Sequence, residues 1–225
     1  MIDIYPILHS CSIFDGIPED KYINVLHCLQ GKQKAFLKGQ TITNIGEYSQ
    51  MAGIILSGTV ELAFFDELGN QINVNHIGVG EVFGSELACS NQVPSPMKLS
   101  AVTDCEILFL NFSVLLNTNA HICPNRAKVT ANLLRDFARQ TLFLNMKLCI
   151  MGQKRLRDKI KIYLQNQSIS KNGEITIPFN RHEFADFLYV DRSALCRELS
   201  RMKSEGIISI KGRTITLLDK SFLNS

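Results

Sequence analysis

Residues 180–208, NRHEFADFLYVDRSALCRELSRMKSEGII, constrain the fold more than any other stretch of this chain. They read as two short helices around a tight turn. Asn180 is a favourable N-cap, and Glu183 three residues later completes a capping box. Phe184, Ala185 and Leu188 fall on one face of the first helix. Tyr189 and Val190 interrupt the pattern, and Asp191 is placed to cap a second helix. On that helix Leu195, Leu199 and Met202 form a buried stripe, while Arg192, Ser193, Arg197 and Arg201 project from other faces. A helix that buries one stripe and shows arginines at its start suits the major groove of DNA, because arginine donates a bidentate pair to guanine O6 and N7. Residues 207–218, IISIKGRTITLL, add two short alternating runs around Lys211, Gly212 and Arg213, which is the pattern of a β-hairpin wing with a basic tip. The alternative is an ordinary helical hairpin with a solvated basic face. The arginines at the start of the second helix and the adjoining wing weigh against it.

The charge is distributed in the same sense. Residues 152–225 carry 14 Lys and Arg against 8 Asp and Glu, and residues 1–151 carry 10 against 13, which together give the net +3 of the 225-residue chain. A basic C-terminal part joined to a mildly acidic N-terminal part fits a nucleic-acid-binding module attached to a module with another task. The length allows two domains, and 45% hydrophobic content is ample for their cores. No apolar run approaches membrane-span length, and MIDIYPILHS lacks a basic region followed by an apolar stretch, so a cytoplasmic protein with no membrane partner is expected. The seven cysteines, at 11, 28, 89, 105, 123, 149 and 196, show no CxxC or paired metal spacing. Their odd number argues against a full disulfide framework. Most read as small buried apolar residues, with thiol sensing by Cys11, Cys28 or Cys89 left open.

Residues 34–110 alternate short β-prone runs with glycine turns at 39, 46, 58, 69, 78 and 80. Runs such as GIILSG and VELAFF, with DELGN turning between strands, imply a β-sandwich or β-roll. Residues 1–30 look helical, with Ile23, Leu26 and Leu29 able to pack on the roll. Pro124 is placed to open a long helix running to about Met151. Leu134, Phe137, Thr141, Leu144, Leu148 and Met151 alternate steps of three and four along it, which is an a/d seam. Val129, Leu133 and Leu142 lie off that seam. Two apolar faces allow one to cover the roll and the other to pair with a second subunit, so a homodimer is expected. Gly152 marks a hinge, and Leu156, Ile160 and Leu164 begin a further amphipathic helix.

Taken together, these segments resemble the CRP/FNR family of bacterial transcription regulators. The resemblance covers nearly the whole chain. It rests on GQTITNIGEYSQMAGIILSGTVELAFFDELGN, on GEVFGSELA, on the long helix and on RHEFADFLYVDRSALCRELSRMKSEGIISIKGRTITL. It implies an α+β protein in three parts: an N-terminal double-stranded β-helix (β-roll) sensing an effector over residues 1–123, a dimerisation helix over 124–151, and a winged helix-turn-helix DNA-binding domain over 152–225. It implies a non-enzymatic, sequence-specific homodimer on an inverted-repeat operator, with RNA polymerase as a further partner. The family's base-reading positions fall on Arg192, Ser193 and Arg197, and its phosphate contacts match Arg181, Arg201, Lys211 and Arg213.

The chain departs from the family in three places. Members that bind cyclic nucleotide have a Gly-Glu-Leu turn and then an Arg-Ser pair. Here Gly84, Ser85, Glu86 and Leu87 resemble the turn with one residue inserted, and the only cation before Ala101 is Lys98. A lysine lacks the planar fork that suits a phosphate, so cyclic AMP is not expected and the effector is unidentified. Glu86 reads equally as a roll-surface carboxylate. Asn145, on the long helix, is a candidate pocket residue or a solvated position. Secondly, Cys11 and Cys28 cannot supply the thiolates of an iron–sulfur cluster. Thirdly, Tyr189 occupies the turn position usually held by glycine, and a positive φ there is strained. A different class of function, a cupin-like metal- or haem-binding roll, would need several histidine and carboxylate ligands. The roll offers His76, near Glu81 and Glu86.

Overall fold

The computed structural model describes residues 3–49, 51–69, 71–90, 93–116, 124–170 and 172–223. Asn70 of the expected DELGN turn, and Cys123, lie outside them. Helices α1 (Tyr5–Ser10) and α2 (Tyr22–Cys28) precede strands β1 (Lys32–Phe36), β2 (Thr41–Thr43), β3 (Met51–Ser57), β4 (Val60–Phe65), β5 (Gln71–Ile77) and β6 (Val82–Phe83). Helix α3 (Ser85–Cys89), β7 (Lys98–Ala101), β8 (Cys105–Asn111) and α4 (Ser113–Leu116) follow. The strands pair antiparallel into two sheets, ordered β1-β8-β3-β6 and β2-β7-β4-β5. Alternation turns one face of each inward. Phe36, Ile55, Val60, Phe83, Leu99 and Ile107 meet in a shared core. The packing is close. A Cβ at Gly53 would lie 2.2 Å from the Phe83 ring, and one at Gly58, where φ is +81°, would lie 2.3 Å from the Asp104 carbonyl oxygen. Only glycine satisfies both positions. This is the β-roll expected from the glycine-punctuated runs.

The N-terminal helices differ in detail from the sequence reading. Leu8, Tyr22, Val25 and Leu29 are buried, whereas Ile23 is 59% exposed. Helix α2 is seven residues long, and the Tyr22 ring sets its inner face by an edge contact with Phe14 at 5.0 Å. That orientation turns the neighbouring Ile23 outward.

By internal contacts the chain divides into Met1–Asp136 and Phe137–Ser225. The division falls inside α5 (Arg126–Gly152), which starts two residues after Pro124. In the first unit α5 buries Val129, Asn132 and Leu133. The Asn132 amide donates to the carbonyls of Ile13 and Asp15, at 2.9 Å each. In the second unit Ile150 is fully buried and Met146 packs on the same core. The seam residues lie elsewhere on the helix. Leu134, Leu144, Leu148 and Met151 are 63, 60, 64 and 53% exposed, Thr141 is exposed and Phe137 is half-buried.

The second unit continues with α6 (Leu156–Gln165), β9 (Glu174–Thr176), α7 (Arg181–Phe187), α8 (Arg192–Ser204), β10 (Ile208–Lys211) and β11 (Thr214–Leu217). Strands β10 and β11 form the expected wing. The third strand, β9, pairs with β11 (Ile175 opposite Ile215) and was not anticipated from the sequence. Ile160, Tyr163, Phe184, Leu195, Leu199 and Met202 close the core. Among the described residues no helix is long and apolar enough to cross a membrane.

Candidate nucleic-acid interface and effector region

Helix α7 starts as its sequence requires. The Asn180 side chain accepts from the backbone N–H groups of His182 (2.8 Å) and Glu183 (3.0 Å), and the Glu183 carboxylate accepts from Asn180 N–H at 2.6 Å. This reciprocal pair satisfies donors that the first turn otherwise leaves free. The end of α7 is equally complete. Val190 N–H donates to Ala185 O and Tyr189 N–H to Asp186 O, both at 3.0 Å. This paired closure places its left-handed residue just past the helix, where glycine is usual. Here that residue is Tyr189, at φ +55°. The conformation costs an ordinary L-residue roughly 1–2 kcal/mol. The two remaining terminal carbonyls are taken by lysines: Lys147 Nζ donates to Phe187 O at 2.8 Å and Lys159 Nζ to Leu188 O at 3.1 Å.

Helix α8 buries Leu195, Leu199 and Met202 and leaves Arg192, Ser193, Arg197 and Arg201 exposed. Asp191 is its N-cap by backbone, yet its side chain makes no capping bond. Arg157 of α6 braces α8 along the flank that carries Glu198 and Glu205. Its Nε donates to Glu198 Oε1 at 2.6 Å, and its Nη1 and Nη2 donate to the Glu205 carboxylate at 2.6 and 3.1 Å. These bonds raise the pKa of Arg157 above its ordinary value and depress that of Glu205. The two glutamates are seven residues apart, so one guanidinium fixes two turns of α8. Neither Arg157 nor the two capping lysines was singled out from the sequence. Their partners lie 29 to 48 residues away, and no local pattern marks them.

The wing residues are placed near α7. Arg181 Nη2 donates to Gly212 O at 3.1 Å, linking the start of α7 to the wing tip. Arg213 Nη1 donates to Pro178 O at 3.3 Å, and Lys211 is exposed. Arg201 lies 3.6 Å from Glu205 across an i,i+4 step and is largely exposed. The structure thus gathers Arg181, Lys211 and Arg213 at the wing and Arg192, Ser193, Arg197 and Arg201 on α8, all in the second unit.

The effector residues are less convergent. Gly84 adopts φ +73° at the start of α3, Ser85 and Leu87 are buried, and Glu86 is exposed. On β7, Leu99 and Ala101 enter the roll core, so alternation turns Lys98 to the other face of the sheet. Lys98 therefore does not point with the core residues into the roll, and the sequence between Leu87 and Ala101 contains no arginine. Asn145 is exposed on the part of α5 that belongs to the second unit. His76 stands opposite Glu61 on β5 and β4, exposed, with Nε2 at 3.9 Å from the carboxylate. That is the geometry of a surface pair. Among the described residues no group of three or more His, Cys, Asp or Glu is assembled to hold a metal ion. Cys11 is fully buried, and burial pushes its thiol up to about 11. Burial raises the Cys89 thiol as well, with Glu86 adding to the effect. Burial thus disfavours the thiolate form of both.

Residues 33–119 match the family model of the cyclic nucleotide-binding domain, and residues 148–225 match that of the Crp-like helix-turn-helix domain. The chain is 24% identical over 200 residues to the fumarate and nitrate reduction regulatory protein of Vibrio cholerae, covering 85% of this chain and 77% of that one. It is 22% identical over 209 residues to the cAMP-activated global transcriptional regulator Vfr of Pseudomonas aeruginosa, covering 89% and 95%. Among solved structures it resembles in fold the catabolite activator protein of Thermus thermophilus, with TM-score 0.53, 22% identity and coverage of 95% and 96%.

Proposed function

Because the chain belongs to the CRP/FNR family of transcription regulators, proteins that act on DNA rather than as enzymes, we propose that it is a cytoplasmic homodimer that reads an inverted-repeat operator and is switched by an effector other than a cyclic nucleotide. The observation that carries this reading is the second unit: a recognition helix braced by Arg157, exposing Arg192, Ser193 and Arg197 beside a basic wing. Arg192, Ser193 and Arg197 read bases. Arg181, Arg201, Lys211 and Arg213 contact phosphates and set the register. The exposed stripe of α5 supports pairing with a second copy, since two recognition helices then meet half-sites about one helical turn apart. Residues 1–123 act as sensor, 124–151 as dimerisation helix and 152–225 as DNA-binding domain. RNA polymerase is the further partner that a regulator of this kind engages.

The effector region supports the negative half of the proposal. Gly84 adopts a left-handed conformation before the short helix that carries Ser85, Glu86 and Leu87, Lys98 faces away from the core, and the sequence between Leu87 and Ala101 holds no arginine. Moving a two-state dimer from 1:99 to 99:1 requires about 5.5 kcal/mol of differential affinity. A phosphate without its charge-assisted pair does not supply it. Duplex binding followed by fluorescence anisotropy, with and without millimolar cyclic AMP or cyclic GMP, tests this. Duplex affinity should be unchanged by either nucleotide. Micromolar nucleotide binding that tightens DNA binding would overturn the proposal and direct mutagenesis to Glu86 and Lys98.

A further inference from the structure

A tyrosine occupies the left-handed position in the turn between α7 and α8, and a lysine from α5 rests on it. Tyr189 sits at φ +55°. The backbone bonds that close α7 would form equally well with glycine, which enters this conformation freely. What differs is the side chains. Lys147 Nζ lies 4.4 Å from the centroid of the Tyr189 ring and 3.9 Å from that of Phe187, and it donates to the Phe187 carbonyl. One ammonium therefore touches two aromatic rings and a helix C-terminus, each of which attracts a cation. Lys147 is half-buried, and desolvation lowers its pKa, so these partners stand in for water. Lys159 reaches the neighbouring carbonyl from α6 and completes the hydrogen bonding of α7.

We propose that Lys147 is a positioning residue for DNA recognition: it holds Tyr189 in the left-handed turn and so fixes the angle between α7 and α8. A glycine turn would keep its geometry by itself. The tyrosine turn depends on a residue of α5, next in sequence to Leu148 of the exposed stripe. The base-reading angle is thereby tied to the long helix. The inference rests on the proposal that α8 reads bases.

A double-mutant cycle in the full-length protein tests it. Lys147→Met keeps the stem and removes the charge. It should weaken binding to the protein's selected site by about tenfold, the combined scale of two partly exposed cation–π contacts, with oligomeric state and circular dichroism unchanged. Lys147→Arg should recover part of the loss. Tyr189→Gly removes the strained residue, and in that background Lys147→Met should cost less than about threefold, because coupled residues are not additive. A lysine that only supports the fold would cost the same in both backgrounds. Equal costs in the two backgrounds overturn the proposal, as does full affinity in Lys147→Met. If Lys147→Met fails to fold but folds with Tyr189→Gly, the coupling is shown by stability instead. Arg197→Ala is the control for the underlying reading. Unchanged base preference in Arg197→Ala refutes the recognition-helix assignment, whereas altered preference with an additive cycle refutes only the role of Lys147.

Discussion

Leu144→Asp combined with Leu148→Asp is expected to convert the protein into a monomer and to lower operator affinity by roughly two orders of magnitude or more. In the single chain these leucines are 60 and 64% exposed, on a stripe shared with Leu134 and Met151. Stripes of large apolar residues mark interaction surfaces when nothing in the chain covers them. Along α5 the residues that pack on the second unit, Met146 and Ile150, lie off that stripe. The substitutions therefore spare the fold and strike the proposed contact between copies. Each unpaired polar group placed in an apolar interface costs roughly 1–3 kcal/mol, and two-fold symmetry doubles the damage. Losing the second half-site removes the effective-concentration gain of a linked pair, typically about 10²–10⁴. Sedimentation and operator titration read both effects. A double mutant that sediments as the wild-type dimer places the contact on another surface.

Arg197→Ala is the second large effect. Arg197 is exposed on α8, one turn from the helix start and beside Arg192 and Ser193. A bidentate arginine on guanine is worth about 1–3 kcal/mol of discrimination. A symmetric dimer loses that contact in both half-sites. Affinity for the best site should fall accordingly, and the base preference at the matching position should relax. Lys211→Ala or Arg213→Ala should behave differently. Loss of a phosphate contact weakens all duplexes alike and reduces the salt slope by about one unit. If Arg197→Ala instead weakens every sequence equally, the arginine is a phosphate contact and the assignment of roles on α8 is wrong.

The segments most legible in the sequence are those whose determinants are local. Asn180 and Glu183 sit three residues apart and form the capping box that this spacing specifies. Glycine turns between β-prone runs give the roll, and the alternation around Lys211, Gly212 and Arg213 gives the wing. Tyr189 at a glycine position left the turn geometry open in the sequence, and the turn keeps a positive φ rather than relaxing to another form. What was not legible depends on partners distant in the chain. Ile23 was expected to pack, but the Tyr22–Phe14 contact decides which face of a seven-residue helix turns inward. Asp191 has the side chain of a cap yet caps by backbone alone. The face occupied by Lys98 is set by the register of β7, which pairs Lys98 with Ala63 across a strand some 35 residues earlier. Nothing local in the sequence distinguishes Arg157, Lys147 and Lys159 from other cations of the chain. Their carboxylate, carbonyl and aromatic partners become neighbours only once α5 and α6 pack on α7 and α8. The strand β9 had a local signal in the alternating EIT after Gly173, but three residues are too few to stand out from a loop.

Selection of duplexes from a random pool by the wild-type protein, followed by sequencing, tests the central claim most directly. The account predicts enrichment of an inverted repeat whose half-site centres lie about 10–10.5 base pairs, one helical turn, apart, with the strongest base preference at symmetry-related positions. A pool that stays unenriched, or that yields a single asymmetric site, would contradict it.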